Sequence, residues 1–442
     1  MAMVNIEQLE NQLNSFNPDT RRDTLSKLNQ MVDSGELEVK EPTEIANMHC
    51  HTFFSFNGYG MSPSALAWMA KRDGIKLLGI VDFDVLDAVE EFLDACELLG
   101  VRGSAGMETR VYIPQFSTRE INSPGEPGIS YHMGIGFTEG SLPTEGETVL
   151  EDMRTRADAR NRGMVERLNA YLVPLVLDYD KDVLPLTPAG NATERHMLTA
   201  LLNVTEDQVS EPHSFWAEKL DLPRKEVEKL FESAPAIKKV IRKKLMKRGG
   251  VGYVQPGPDT FPLVDDVHTL ILSGGALPCI TWLDGTSDGE KSMDELLKLL
   301  IAKGAAALNI VPDRNWNIAD PEVKALKVKN LYQLVELAQA NDLPLNIGTE
   351  MNAYGLKFVD TFDAVELAPV KEAFLDGAYF IYGHTIMQRY AAKGYQSQWA
   401  DTHFENRAEK NAFYTTVGKL AEPNAARRLL SDIKENATPA DI

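Results

Sequence analysis

From about residue 42 the chain alternates short apolar runs with amphipathic, capped segments, and no other feature restricts its fold so strongly. EIANMHCH, KLLGIVDFD, VRGSAGMETRVYI and YHMGIGF read as strands with polar ends. Between the first two lies SPSALAWMAKRDG, where Ser62 suits an N-cap, Pro63 the first helical position and Gly74 the C-terminal stop. LDAVEEFLDACELLG reads as a second helix. Strands joined by crossover helices are expected to pair in parallel and to carry functional groups at their carboxyl ends.

This rhythm lapses between residues 142 and 250. Charged helical stretches such as EDMRTRADARNRGMVERLNAYL and PRKEVEKLFESAPAIKKVIRKKLMKRG take over there. It resumes with VDDVHTLILSGGALPCITWLDG, MDELLKLLIAKGAAALNIVPDRN and VKNLYQLVELAQANDLPLNIGTEMN. The expected organisation is a helical extension over 1–41, one part of an α/β barrel over 42–141, a helical insertion over 142–250, the rest of the barrel over 251–381 and a further extension over 382–442. A chain of 442 residues is long enough for that arrangement.

Composition narrows the partners. No apolar run approaches the roughly 20 residues that span a bilayer, so no membrane partner is expected. The segment MAMVNIEQLENQLNSFNPDTRRD lacks a basic-then-apolar signal pattern, and Cys50, Cys96 and Cys279 are too scattered for a disulfide framework, so a cytoplasmic location is expected. With 45 basic against 65 acidic residues, the net charge of -20 disfavours duplex nucleic acid. The run KKVIRKKLMKR reads as a solvated helix face. A small anionic substrate remains compatible with this balance if bound metal ions set the local sign.

His49 and His51 flank Cys50 at the end of the first strand, and alternate strand residues point the same way, so both imidazoles can reach one ion. The following strands end at Asp82 and Asp84, at Glu108 and near His132. Imidazole and carboxylate gathered at strand ends suit a divalent-metal hydrolase. Neither GxSxG nor GxxxxGK[ST] occurs, which leaves a serine hydrolase or P-loop mechanism without its signature.

The order of these blocks resembles the polymerase and histidinol phosphatase (PHP) superfamily of metal-dependent phosphoesterases. HCHTFFSFNG corresponds to its HxH strand and SDG loop, IVDFD to TDHD, GMETRV to the strand with a GxE glutamate, YHMGIGF to the strand opened by histidine, ERHMLTALL to RPHIA, GGVGYVQP to the stretch ending in YVP, and NIGTEMNAYG to GSDxH. The likeness spans residues 42–355 and implies a distorted TIM-like (β/α)7 barrel of the PHP type with a helical insertion. It implies metal ligands at His49, His51, Glu108, His132, His196 and Glu350. Glu108 matches the bridging carboxylate. Asp82 either holds a ligand from behind or caps the next helix, and Arg195 matches an arginine that would bind substrate phosphate. Taken alone, His132 on an apolar strand would read as a core histidine. His384 would reach the barrel mouth only if the C-terminal tail folded over it.

Four expected ligand positions differ: Asn57, Phe83, Trp282 and Asn352 replace Asp, His, His and His. Phe and Trp cannot ligate a metal, so one or two divalent ions (Mn, Zn, Fe or Mg) are expected rather than three. The implied activity is hydrolysis of a small phosphorylated metabolite or nucleotide by metal-activated water. The alternatives are a degenerate PHP-fold binding protein and an amidohydrolase-like enzyme cleaving carbon–nitrogen bonds, for which Asp313 could serve as base.

Overall fold

The computed structural model describes residues 5–442. Seven strands form one sheet in sequence order: β1 Thr43–Cys50, β2 Ile75–Phe83, β3 Arg102–Tyr112, β4 Ile129–Phe137, β5 Leu277–Trp282, β6 Ala307–Ile310 and β7 Leu345–Ile347. The sheet curls into a nearly closed, distorted TIM-like barrel interleaved with helices. Closure occurs just beyond β7, where the Glu350 N–H donates to the His49 carbonyl (2.7 Å) and the His51 N–H donates to the Glu350 carbonyl (2.8 Å). Gly348 makes that approach possible, because a Cβ there would collide with Asn47 and the His49 backbone.

The helices have the expected capping chemistry. Ser62 accepts from the Ala65 N–H at the start of Pro63–Asp73, and Gly74 ends that helix in the left-handed conformation (φ 70°). Val89–Leu99 ends the same way at Gly100 (φ 71°).

Uniformly parallel pairing does not hold. β4 runs antiparallel to both β3 and β5. Between β3 and β4 the chain forms only the short 3-10 turn Pro114–Phe116, and without a crossover helix it must double back. The start of β4 therefore lies at the barrel mouth, level with the ends of its neighbours.

Two apolar cores are present. One fills and surrounds the barrel. The other, from Val165 to Met246, lies within the helical segment that separates β4 from β5. The basic run stays largely at the surface, as expected of a solvated face, but two of its cations are paired: Arg242 and Lys247 both bond Glu194 (2.9 and 3.0 Å). Asn191 joins this segment to the barrel by donating to the Phe54 and Phe83 carbonyls (3.1 and 2.8 Å).

The helix Lys371–Ala391 packs across β7, β1, β3, β4 and β2. Arg102, buried on β3, donates to the Gly418 carbonyl (3.2 Å) and to Glu422 (2.8 Å), tying the last helices to the barrel. No helix among the described residues is long and apolar enough to cross a membrane.

Candidate metal centre and the barrel mouth

The strand ends bring His49, His51 and Glu108 together. One donor atom from each lies within 4.8 Å of the others, and all three residues are buried. Glu108 Oε2 is 3.6 Å from His49 Nε2 and 3.1 Å from His51 Nε2. β2 separates the two contributing strands, but barrel curvature brings β1 and β3 within reach across the interior.

The opposite ring nitrogens are already engaged. His49 Nδ1 lies 3.2 Å from Asn309 Oδ1, which also accepts from Asn346 Nδ2 (2.9 Å). His51 Nδ1 lies 3.1 Å from Ser55 Oγ, and Ser55 gives its own hydrogen to Asp82 Oδ1 (2.6 Å). Both Nδ1 atoms are therefore assigned as donors, which leaves each Nε2 a bare lone pair. Burial lowers the proton affinity of His49, but the adjacent Glu108 more than offsets it and leaves the imidazole raised. Burial likewise raises Glu108, and the two imidazoles override it, holding the carboxyl well below its ordinary range.

His49 Nε2, His51 Nε2 and Glu108 Oε2 have no hydrogen-bond partner among the described residues. A buried unsatisfied polar atom costs about 1–3 kcal/mol. Three such atoms meeting at one point fit a divalent ion, and two imidazoles with a carboxylate suit Zn, Mn or Fe better than Ca.

Asp82 stands behind this set. It accepts from Thr52 N (2.8 Å), Thr52 Oγ1 (2.6 Å) and Ser55, so it reaches His51 through a hydroxyl. Burial raises its carboxyl above the usual range. Asp82→Asn is expected to weaken metal affinity by about 10–100-fold, the usual cost of removing a ligand's support. Titration of the metal-free protein with Zn2+ or Mn2+ measures this, and unchanged affinity would remove Asp82 from the account.

The other expected ligands lie elsewhere. His132 requires correction: its Nε2 is 2.9 Å from His268 Nε2, in the layer between β4 and the helix Val264–Ser273. Strand alternation explains this, since Glu108 pairs with Met133 and Arg110 with Tyr131. Those four residues share one face, and Thr109 and His132 take the other.

His196 Nδ1 accepts from the Thr193 N–H (3.1 Å), capping its own helix, and the ring packs edge-on against Phe56. It does not join the cluster. Burial pushes it down to about 4. Glu350 bonds Arg314 and lies within Coulombic reach of His49 without entering the group of three.

The substituted positions have structural uses. Phe83 stacks on His51 at 4.3 Å between centroids. Asn57 donates to the His51 carbonyl (2.8 Å) and accepts from Tyr59 N (2.8 Å), fixing its loop. Trp282 is buried in the barrel core. Asn352 accepts from Arg195 (3.0 Å).

His384 lies against Gly136, at the far end of β4 from the mouth, and accepts from Tyr395 N (3.0 Å). Burial pushes it down to about 3 from 6.5. Its contribution to stability is present above pH 6.5 and is lost as pH falls toward 3, by about 1.4 kcal/mol per pH unit. The stability difference between wild type and His384→Gln is therefore expected to shift by roughly 2 kcal/mol in the variant's favour from pH 7 to pH 5, measured by urea unfolding. A pH-independent difference would contradict this.

The mouth is rich in arginine. Arg195 packs over Phe56, Arg314 holds Glu350, and Arg110 and Arg160 stand over Phe261 (4.1 and 4.6 Å). Burial disfavours charge on Arg195 and Arg160, pushing each down to about 10, so both stay cationic at neutral pH. Arg110 was legible in principle: it lies two residues beyond Glu108 on the same strand and therefore on the same face.

No protein-family model matches the sequence, and no curated protein matches it. Solved structures with similar folds exist. One is an amidohydrolase from Chromobacterium violaceum, with bound sulfate and no metal: it shares 14% identity over 74% of this chain and 96% of its own, with a TM-score of 0.50. The likeness is one of fold. Another, described as a candidate metal-dependent phosphoesterase from Bifidobacterium adolescentis, shares 19% identity over 76% of this chain and 98% of its own, with a TM-score of 0.48.

Proposed function

We propose that the protein is a metal-dependent hydrolase acting on a small phosphorylated molecule. The observation that carries this reading is the buried group of unpartnered donors His49, His51 and Glu108 beneath a mouth rich in arginine. A divalent ion held by those residues would supply Lewis acidity, lowering the pKa of a water to about 7 and offsetting anionic charge.

The chain supplies the rest. Asn309 and the Ser55–Asp82 pair hold the two imidazoles in the orientation that leaves Nε2 bare. Arg195 and Arg314 are the groups that grip a phosphoryl group, since a guanidinium fork matches its oxygens. Phe83 and the Asn191 bridge wall the site against bulk water on the β2 side. Carbon–nitrogen hydrolysis is less well supported, because Asp313 is engaged by Asn317 (3.1 Å) and Lys357 (3.6 Å).

Metal-loaded protein is to be assayed against a panel of small phosphomonoesters and amides. Phosphate release is expected, with His49→Ala reducing it by at least about 100-fold, as loss of a metal-holding donor would. Cleavage of amides alone, or full activity in that variant, would overturn the reading.

A further inference from the structure

β4 enters the barrel at the mouth, and the register that turns His132 outward turns its neighbour Tyr131 inward. Arg110 pairs with Tyr131 and Glu108 with Met133, so Tyr131 stands one pleat nearer the mouth than Glu108 on the same face. The protein engages its backbone, with the N–H donating to Asn122 Oδ1 (2.7 Å) and the carbonyl accepting from Ser130 Oγ (3.0 Å). Its phenol hydroxyl has no hydrogen-bond partner among the described residues, and the side chain is half-buried rather than sealed.

The surroundings mix arginines with carboxylates, Glu108 among the latter. Arg110 lies over the Tyr131 ring at 6.0 Å. Arg242 and Glu194 also lie within Coulombic reach of the phenol, and Arg195 and Arg314 feel it in turn. These cations have carboxylate or amide partners that spread their hydrogens: Arg110 bonds Glu126 (3.1 Å), Arg242 bonds Glu194 (2.9 Å) and Arg195 bonds Asn352 (3.0 Å). The phenol is a rigid, neutral donor among them. Burial keeps it protonated above the ordinary tyrosine range.

We propose that Tyr131 is a substrate-binding residue, its phenol donating a hydrogen bond to an oxygen of the substrate's phosphoryl group within the Arg110, Arg195 and Arg314 rim. The substrate class rests on the phosphoester reading above.

Tyr131→Phe removes the hydroxyl and little else. Inorganic phosphate, titrated calorimetrically into the full-length protein, is the probe, with near-UV difference absorbance of tyrosine as a second signal. The wild type is expected to bind phosphate with a tyrosine difference spectrum. The variant is expected to bind it roughly 10–100-fold more weakly, the range for a hydrogen bond to a charged group, and to lose that spectrum. In turnover, KM for a phosphomonoester should rise by the same factor as the phosphate dissociation constant. Equal phosphate affinity in the two proteins, or no binding by the wild type, overturns the inference. A lowered melting temperature with unchanged affinity also overturns it, since that is what a merely structural tyrosine would give. Failure of the hydrolase reading would look different: the metal-loaded wild type would release no phosphate from any ester, whatever residue stands at 131.

Discussion

Glu108→Gln is expected to lower affinity for Zn2+ or Mn2+ by more than about 100-fold, since it removes one of three donors and the only negative charge among them. Glutamine keeps the side-chain volume, so the barrel should fold. The imidazoles keep their supports from Asn309 and Ser55, which do not depend on residue 108. Calorimetric titration of the metal-free protein reads the effect directly. Phosphoester hydrolysis at limiting metal should fall in parallel, and saturating metal should recover part of it if the two imidazoles still hold an ion weakly. A change in affinity of less than about threefold would mean that the carboxylate is a partner of the imidazoles and not of a metal.

The second large effect is structural and lies far from the mouth. The helices Lys371–Ala391 and Arg407–Leu420 cross at Gly383 and Gly418: a Cβ on Gly383 would fall on the Tyr414 carbonyl, and one on Gly418 would fall on the Tyr379 carbonyl. Backbone cannot yield as a flexible side chain can. Gly418→Val is therefore expected to cost roughly 3 kcal/mol or more, above the common range for overpacking. Because Lys371–Ala391 packs against five barrel strands, the loss should appear in the main unfolding transition. Leu429→Ala, at an exposed position on a later helix, serves as the control and should change little. A wild-type urea midpoint for Gly418→Val would show that the helices can separate without loosening the barrel.

The barrel was legible because its signals are local. Ser62, Pro63, Gly74 and Gly100 mark helix ends by conformational chemistry that packing does not override, and the apolar runs carried the strands. His49 and His51 were legible because alternation within one strand is certain. His132 was not, because YHM offers two adjacent polar side chains on an apolar strand, and only pairing with β3 fixes which of them faces inward. β4 also reverses direction, contrary to the parallel expectation, because the segment between residues 112 and 129 forms no crossover helix.

The pairing of Arg242 and Lys247 depends on a half-buried acid, Glu194, which no local pattern marks. Burial raises the Glu194 carboxyl, and the two cations override it and hold it low. No local pattern singles out Asn309 or Asn346 either, although both are buried and one holds His49.

His49, His51 and Glu108 are expected to hold a divalent ion. The most direct test is a crystal of the protein soaked in Mn2+ or Zn2+ and measured at the metal's absorption edge. One strong anomalous peak is expected about 2.0–2.3 Å from His49 Nε2, His51 Nε2 and Glu108 Oε2. An empty site with Glu108 hydrogen-bonded to both imidazoles, or a peak only at surface carboxylates, would contradict it.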